Sequence, residues 1–244
     1  MPRYLMLALE GPLAGYGAEM VDARGPVRDW PGASLLTGLL ANALGYTRDD
    51  RQAHARLQER LRFAVRIDRS GTRLRDFQTA KLEKDDKGWT TRGEPEGRKG
   101  ATYDTPHIRE RDYFADLALT VALALDPPEE TPDLEALASA LERPARPLFL
   151  GRKPCLPSRP IHSGMIEAED AFHALILHPN TAEDAAAEPE IVRLAPQGTA
   201  PWSQEGFETM FVTDERNWIS GVHGGERIFL RGTAARLTGW ADRR

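Results

Sequence analysis

Six histidines (His54, His107, His162, His173, His178 and His223) and one cysteine, Cys155, are the residues of this chain best suited to metal or nucleophilic chemistry. Their spacing suits neither. No pair forms H-x-x-x-H and none stands at metal spacing from Cys155, whereas a zinc site draws three or four such ligands together. Neither the G-x-S-x-G elbow of hydrolases nor the G-K-[ST] of a P-loop occurs. The expectation is no metal, no cofactor and no catalytic set.

Arginine is the more abundant chemistry. Arg56, Arg60, Arg62, Arg66, Arg69, Arg73 and Arg75 fall within one short stretch, and the planar guanidinium fork matches phosphate bidentately. Some of these seven must also serve only to keep a helix and two strands solvated. Arg152-Lys153, with Arg159 close behind, forms a basic turn stiffened by prolines. His107 stands beside Arg109 and Arg111, the one histidine placed where RNA chemistry could use it. Gly11, Gly15 and Gly17 punctuate a loop that does not fit G-x-G-x-x-G. They read either as tight-turn glycines or as a backbone cradle for an RNA phosphate.

Elements must position these groups. Tyr4 to Glu10 reads as a short buried strand running into the glycine loop. Ser34 to Leu44 is the clearest helix, with Ser34 as its cap, an apolar stripe of leucines, and Gly45 as its left-handed stop. A second helix covers Asp50 to Leu61. Strands follow at Phe63–Asp68 and Leu74–Thr79, with a turn at Ser70-Gly71. Residues 80–112 hold eight bases, eight acids and little apolar periodicity, the signature of a projecting polar hairpin. Phe114–Leu125 is an apolar strand, Pro132 to Leu141 a helix, and Pro147–Leu150 a last short strand. The order β-α-(α)-β-β-insertion-β-α-β is an α+β pattern of the ferredoxin-like or RNA-recognition-motif kind. Short strands at Ala171–Leu177, Glu190–Leu194, Thr209–Val212 and Arg227–Leu230 imply a small C-terminal β-rich lobe. The expected division is residues 1–160, with a thumb hairpin at about 80–112, and residues 161–244.

The 244 residues carry a net charge of −5, which on its face argues against a nucleic-acid binder. The charge is uneven. Asp126–Glu142 holds six carboxylates and Glu167–Glu190 seven, neither with a lysine or arginine. Without those 13 acids, 32 bases would face 24 acids. Screening acts over about 8 Å at physiological salt, so acidic patches elsewhere need not weaken a local basic groove. No run of about 18 apolar residues occurs, so no membrane span is expected. A single cysteine and no secretory pattern at the N-terminus point to the cytoplasm.

Several segments together resemble the CasD family, the handle-binding subunit of type I-E CRISPR Cascade. They are Leu9-Glu10-Gly11-Pro12-Leu13 with Tyr16-Gly17; Trp30-Pro31; Gly38-Leu39-Leu40 through Gly45; Arg48-Asp49-Asp50; Phe63 to Asp68; Leu74 to Thr79; Arg111 to Asp116; Thr120 to Leu123; and Leu150-Gly151-Arg152-Lys153-Pro154-Cys155. The resemblance covers roughly residues 3–160. It implies a ferredoxin-like body with a long β-hairpin thumb and a small C-terminal β lobe. It implies a non-catalytic subunit that binds and kinks the crRNA 5′ handle and caps the complex. The implied partners are a CasC-like backbone subunit, a CasA-like large subunit and, indirectly, target DNA, with no membrane. Two positions depart from the family: Tyr16 stands where tryptophan is usual, and Ala33 where a basic residue is usual.

The residues expected to meet RNA are Tyr16, Arg28, Ser34, Arg75, Gln78, His107, Arg109, Arg111, Arg152 and Lys153. The cations would engage phosphates, Tyr16 or His107 would stack on a base, and Ser34 with its helix N-terminus would meet a phosphate. The alternative is a metal-independent endoribonuclease of the same superfamily, with His107, Tyr103 and Lys99 as its reacting groups. A third reading has the acidic segments dock basic partners.

Overall fold

A computed structural model describes residues 1–19, 24–80, 88–89, 95–96, 107–180, 189–194 and 208–233. In chain order the elements are β1 (Arg3–Glu10), β2 (Leu13–Ala14), β3 (Arg24–Gly25), α1 (Ala33–Leu44), α2 (Arg51–Arg60), β4 (Leu61–Arg69) and β5 (Thr72–Ala80). Then come β6 (Gly88–Trp89), β7 (Pro95–Glu96), β8 (His107–Ala115), β9 (Ala118–Leu125), α3 (Leu134–Glu142), β10 (His162–Glu167) and α4 (Ala171–Leu177). The chain continues through β11 (Glu190–Leu194), β12 (Glu208–Val212), β13 (Glu215–Arg216), β14 (His223–Gly224) and β15 (Arg227–Thr233). The protein is α+β with mostly antiparallel sheets.

The main sheet has seven strands in the order β10-β1-β9-β4-β11-β15-β12. Its central strands are apolar at consecutive positions because both faces are covered. Leu5, Leu7 and Leu9 of β1 join the cluster that includes Leu36, Leu40 and Leu137 of α1 and α3. Tyr4 and Met6, on the opposite face, pack with Phe172 and Leu175 of α4. β5 and β8 leave this body as a second, antiparallel pair, in register from Thr72 opposite Ala115 to Ala80 opposite His107. β5 is exposed along almost its whole length, so the pair projects. The other edge of β8 takes β2 and, in parallel, β3.

Four expectations need correction. The C-terminal strands β11, β12 and β15 continue the main sheet rather than forming a lobe beyond residue 160. Phe229 of β15 binds them to the core, with ring centroids 4.7 Å from Trp30 and 6.0 Å from Phe63. Ala171–Leu177 is a helix, capped by Asp170, whose side chain accepts from the His173 N–H. Pro147–Leu150 is not a strand. There Gly151 turns the chain at φ 91°, and Leu150 bonds Gly15 and Cys155 in a loop pair. Finally, Ser34 does not cap α1; Gly32 holds that position with no side-chain cap of its own, and Gly45 stops the helix in the left-handed region as expected.

Two arginines of the 56–75 run are buried. Arg60 donates to the carbonyls of Pro127, Glu130 and Pro132. Arg66 pairs with Asp68 and donates to the His178 carbonyl, fastening the end of α4 to the sheet. These are structural charges, satisfied because burial without partners is costly.

Candidate nucleic-acid interface

The projecting pair has two faces, because successive side chains of a strand alternate. On one face Asp112 of β8 is completely buried and gathers arginines. Arg73 donates to its Oδ2 at 2.6 Å and Arg75 to its Oδ1 at 2.9 Å. Arg24 of β3 approaches to 3.8 Å. Burial pushes the Asp112 carboxyl up, but the hydrogen bonds from Arg75 and Arg73 outweigh it and hold it below the usual 3.8. Three guanidinium groups face two carboxylates here, since Glu110 also lies 3.4 Å from Arg75, and this leaves the corner with one net positive charge. Farther out on the same face, Phe77 and Ile108 are exposed large apolar side chains.

The opposite face carries Gln78, Arg109, Arg111 and Tyr113, with His107 at the matching register position. Arg152 reaches this face from the 150–153 loop. Its guanidinium lies 4.7 Å from the Tyr113 ring centroid and donates to the carbonyls of Asp112 and Gly25. Gly25 makes room for it. A Cβ there would meet the Arg111 Cδ at 3.1 Å and the Arg152 Nη2 at 3.2 Å. Lys153 is exposed next to it, without a partner among the described residues.

Four of the ten expected residues therefore meet on one face, Gln78, Arg109, Arg111 and Arg152, while His107 holds the matching register position and Lys153 follows Arg152 in the chain. Arg75 lies on the other face, bound to Asp112. Arg28 is a half-buried strut that donates to the Thr213 carbonyl at 3.0 Å.

Tyr16 is a correction. It is 1% exposed in the core, so its ring offers no face to a base. Burial, and secondarily Cys155, push its phenol far above the ordinary value. The α1 N-terminus is a second correction. Asp214 Oδ2 accepts from the Ala33 N–H at 2.8 Å, and the Asp214 carbonyl accepts from the Ser34 N–H at 2.9 Å. A carboxylate of the protein already occupies the place of the phosphate. The glycine loop is explained by packing: a Cβ at Gly11 would sit 2.5 Å from the Leu156 carbonyl, and the Gly15 N–H donates to Leu150.

Among the described residues no three His, Cys, Asp or Glu side chains gather as a metal site requires. Cys155 is buried, and burial pushes its thiol up, the opposite of an activated nucleophile. Lys99, Tyr103 and the side chain of His107, the groups of the endoribonuclease reading, lie outside the described residues. The acidic segment Asp126–Glu142 works within the chain. Asp126 pairs with Arg62, Glu130 with Arg56, Glu135 with Arg3 and Glu142 with His162, while Asp133 caps α3. No described helix is long and apolar enough to cross a membrane.

Sequence reasoning missed Asp112 and Asp214 as organising carboxylates, and Arg24 as a member of the positive corner. The Arg-Asp-aromatic pattern at Arg111-Asp112-Tyr113 was the available signal for the first; nothing local announces the second.

The family model described as "CRISPR-associated protein (Cas_Cas5)" matches residues 4–229. The chain belongs to the Cas5 family. A Cas5 relative, "CRISPR system Cascade subunit CasD" of Escherichia coli (strain K12), is 31% identical over 199 residues, covering 78% of this chain and 84% of that one. Among solved structures, a chain of a "CRISPR RNA-guided surveillance complex" superposes with a TM-score of 0.64 at 22% identity, covering 98% of this chain and all of that one. Another, "Crystal structure of Cas protein", gives 0.58 at 25% identity over 96% of this chain and 97% of its own. The fold is thus shared with these two chains along nearly the whole length.

Proposed function

We propose that this Cas5 protein is the crRNA 5′-handle-binding subunit of a Cascade-type surveillance complex and acts without catalysing a reaction. The observation that carries this is the shared face of Gln78, Arg109 and Arg111 on the β5–β8 pair, which Arg152 joins against Tyr113, with the exposed Lys153 next in the chain. Single-stranded RNA is held by a basic groove that follows its backbone, with ring or guanidinium planes for its bases. The likeness to a named Cascade subunit and to a chain of a CRISPR RNA-guided surveillance complex supports reading that RNA as CRISPR RNA.

The strand order β10-β1-β9-β4, with α1 and α3 as the intervening helices, supports the ferredoxin-like reading of the body. The β5–β8 pair supports the reading of a thumb, and its exposed Phe77 and Ile108 suit contact with a backbone subunit. A large subunit would dock beside it, and DNA would be reached through the complex.

Fluorescence anisotropy of the full chain with labelled handle RNA tests the proposal. Neutralising about five phosphates predicts a slope of log K against log salt of about −3.5. The RNA should stay intact in EDTA. An affinity that ignores salt, or appearance of a discrete cleavage product, overturns the proposal.

A further inference from the structure

A second basic surface lies on the body, built by elements other than the β5–β8 pair. α1, α2 and the turn between β13 and β14 enclose an open cleft of about 1010 Å³. Pockets that hold drug-sized ligands span roughly 300–1,000 Å³, so there is room for more than one nucleotide unit. Arg48, Arg51, Arg146 and Arg216 line it, and no Asp or Glu does so among the described residues. In a chain of net charge −5, a recess with four guanidinium groups and no carboxylate is complementary to a polyanion.

The wall is built rather than incidental. Gln58, largely buried, accepts from the Trp218 Nε1–H at 3.0 Å and the Arg216 N–H at 3.1 Å, and donates to the Arg216 carbonyl. The His54 ring lies 4.6 Å from Trp218. Arg216 in turn lies 5.2 Å from the Trp218 ring centroid, presenting a guanidinium plane of the kind on which unpaired bases stack. Arg146 is fixed by the carbonyls of Gly45 and Tyr46. Arg48 is exposed, without a partner among the described residues.

The cleft is also continuous with the proposed interface. Ser34 and Gly151 line it, and Gly151 immediately precedes Arg152 and Lys153. We infer that this cleft is a second RNA subsite, taking the phosphodiester backbone and an unpaired base of the strand that leaves the β5–β8 face. This rests on the handle-binding reading and extends it to a part of the body that reading does not use.

The test compares the full-length wild type with Arg48→Ala/Arg51→Ala and Arg48→Lys/Arg51→Lys on labelled handle RNA. RNA carrying 4-thiouridine at successive positions is crosslinked in parallel. The alanine pair should bind about tenfold more weakly or worse, with a salt slope shallower by about 1.4. The lysine pair should keep the slope, and crosslinks should map to the peptide containing Trp218. Unchanged affinity and slope in a folded alanine pair, while Lys153→Ala weakens binding, overturns the subsite and leaves the handle reading standing. Loss of binding to another complex subunit with RNA affinity intact assigns the cleft to a protein and also overturns it. A wild type with no salt-dependent RNA affinity overturns the handle reading and the subsite with it.

Discussion

Asp214 closes the N-terminus of α1 through Ala33, its Oδ2 accepting the Ala33 N–H at 2.8 Å across 181 residues of chain. The same carboxylate is held by Arg227, whose Nε and Nη2 donate at 2.8 and 2.6 Å. Gly32 admits it, since a Cβ there would lie 2.8 Å from the Asp214 Cβ. A helix N-terminus is a ready anion site, and here the anion is internal. Asp214→Ala removes the cap and leaves Arg227 without its buried partner. Urea unfolding should show a loss of about 3–5 kcal/mol, and Asp214→Asn, which keeps an acceptor for Ala33, should lose less.

Asp112 gives the β5–β8 pair a dependence on pH. Its folded carboxyl lies below the usual 3.8, because the hydrogen bonds from Arg75 and Arg73 exceed the opposing effect of burial. The unfolded chain therefore takes up this proton first as pH falls. The stabilisation is fully present above pH 3.8, declines as pH drops toward the folded value, and is gone below it. Melting curves from pH 6 down to pH 3 should show this decline in the wild type. Asp112→Asn should be less stable at neutral pH and should lack that part of the decline.

Gly151 and Gly15 press two loops together, backbone on backbone. A Cβ on Gly151 would stand 2.2 Å from the Gly15 carbonyl oxygen, at a φ of 91°. Gly151→Ala should cost about 2 kcal/mol or more, from the left-handed conformation alone and then from the clash. Gly17 has nothing within 4 Å of its Cβ position. Gly17→Ala should stay within about 0.5 kcal/mol of wild type. Equal effects at the two sites would show that the loop contact does not matter.

What the sequence displayed and what it hid follow from how far each interaction reaches along the chain. β1 and β9 were legible because continuous apolar runs record burial on both faces, and α1 because its leucine stripe and Gly45 are local. α4 was misread since seven residues, six of them apolar, are too few to show a helical period, although Asp170 was a usable cap signal. The Asp214 cap was invisible, because no local pattern joins it to Ala33. Arg60 and Arg66 look like any surface arginine until the carbonyls of Pro127, Pro132 and His178 are brought to them. The pairing of Gln78 with Arg109 was implicit in a two-residue side-chain alternation, once the register of β5 on β8 is known.

Tyr16 places a hydroxyl in the core without a partner among the described residues. An unsatisfied buried hydroxyl costs about 1–3 kcal/mol, so Tyr16→Phe should be neutral or stabilising in thermal melts. It should leave RNA affinity unchanged, because the ring is not at the surface. Weaker RNA binding by a stable Tyr16→Phe would return this residue to the interface.

Arg152 and Lys153 are neighbours with separable roles. Arg152 joins three segments: it stacks on Tyr113 and donates to Asp112 and Gly25. Arg152→Ala removes a partly desolvated ring contact and the hydrogen bonds to two carbonyls, so it should destabilise the fold by about 2–3 kcal/mol. Its effect on RNA should come with that lost stability. Lys153 is exposed and has no partner among the described residues, so Lys153→Ala should change stability by no more than about 0.5 kcal/mol. It should instead weaken RNA binding and flatten the salt slope by about 0.7, the share of one phosphate on a single strand. Unfolding curves and salt-titrated anisotropy on the same two variants read the roles independently. The reverse ranking, with Arg152 neutral to stability and Lys153 neutral to the slope, would mean that the basic turn neither braces the loops nor meets RNA.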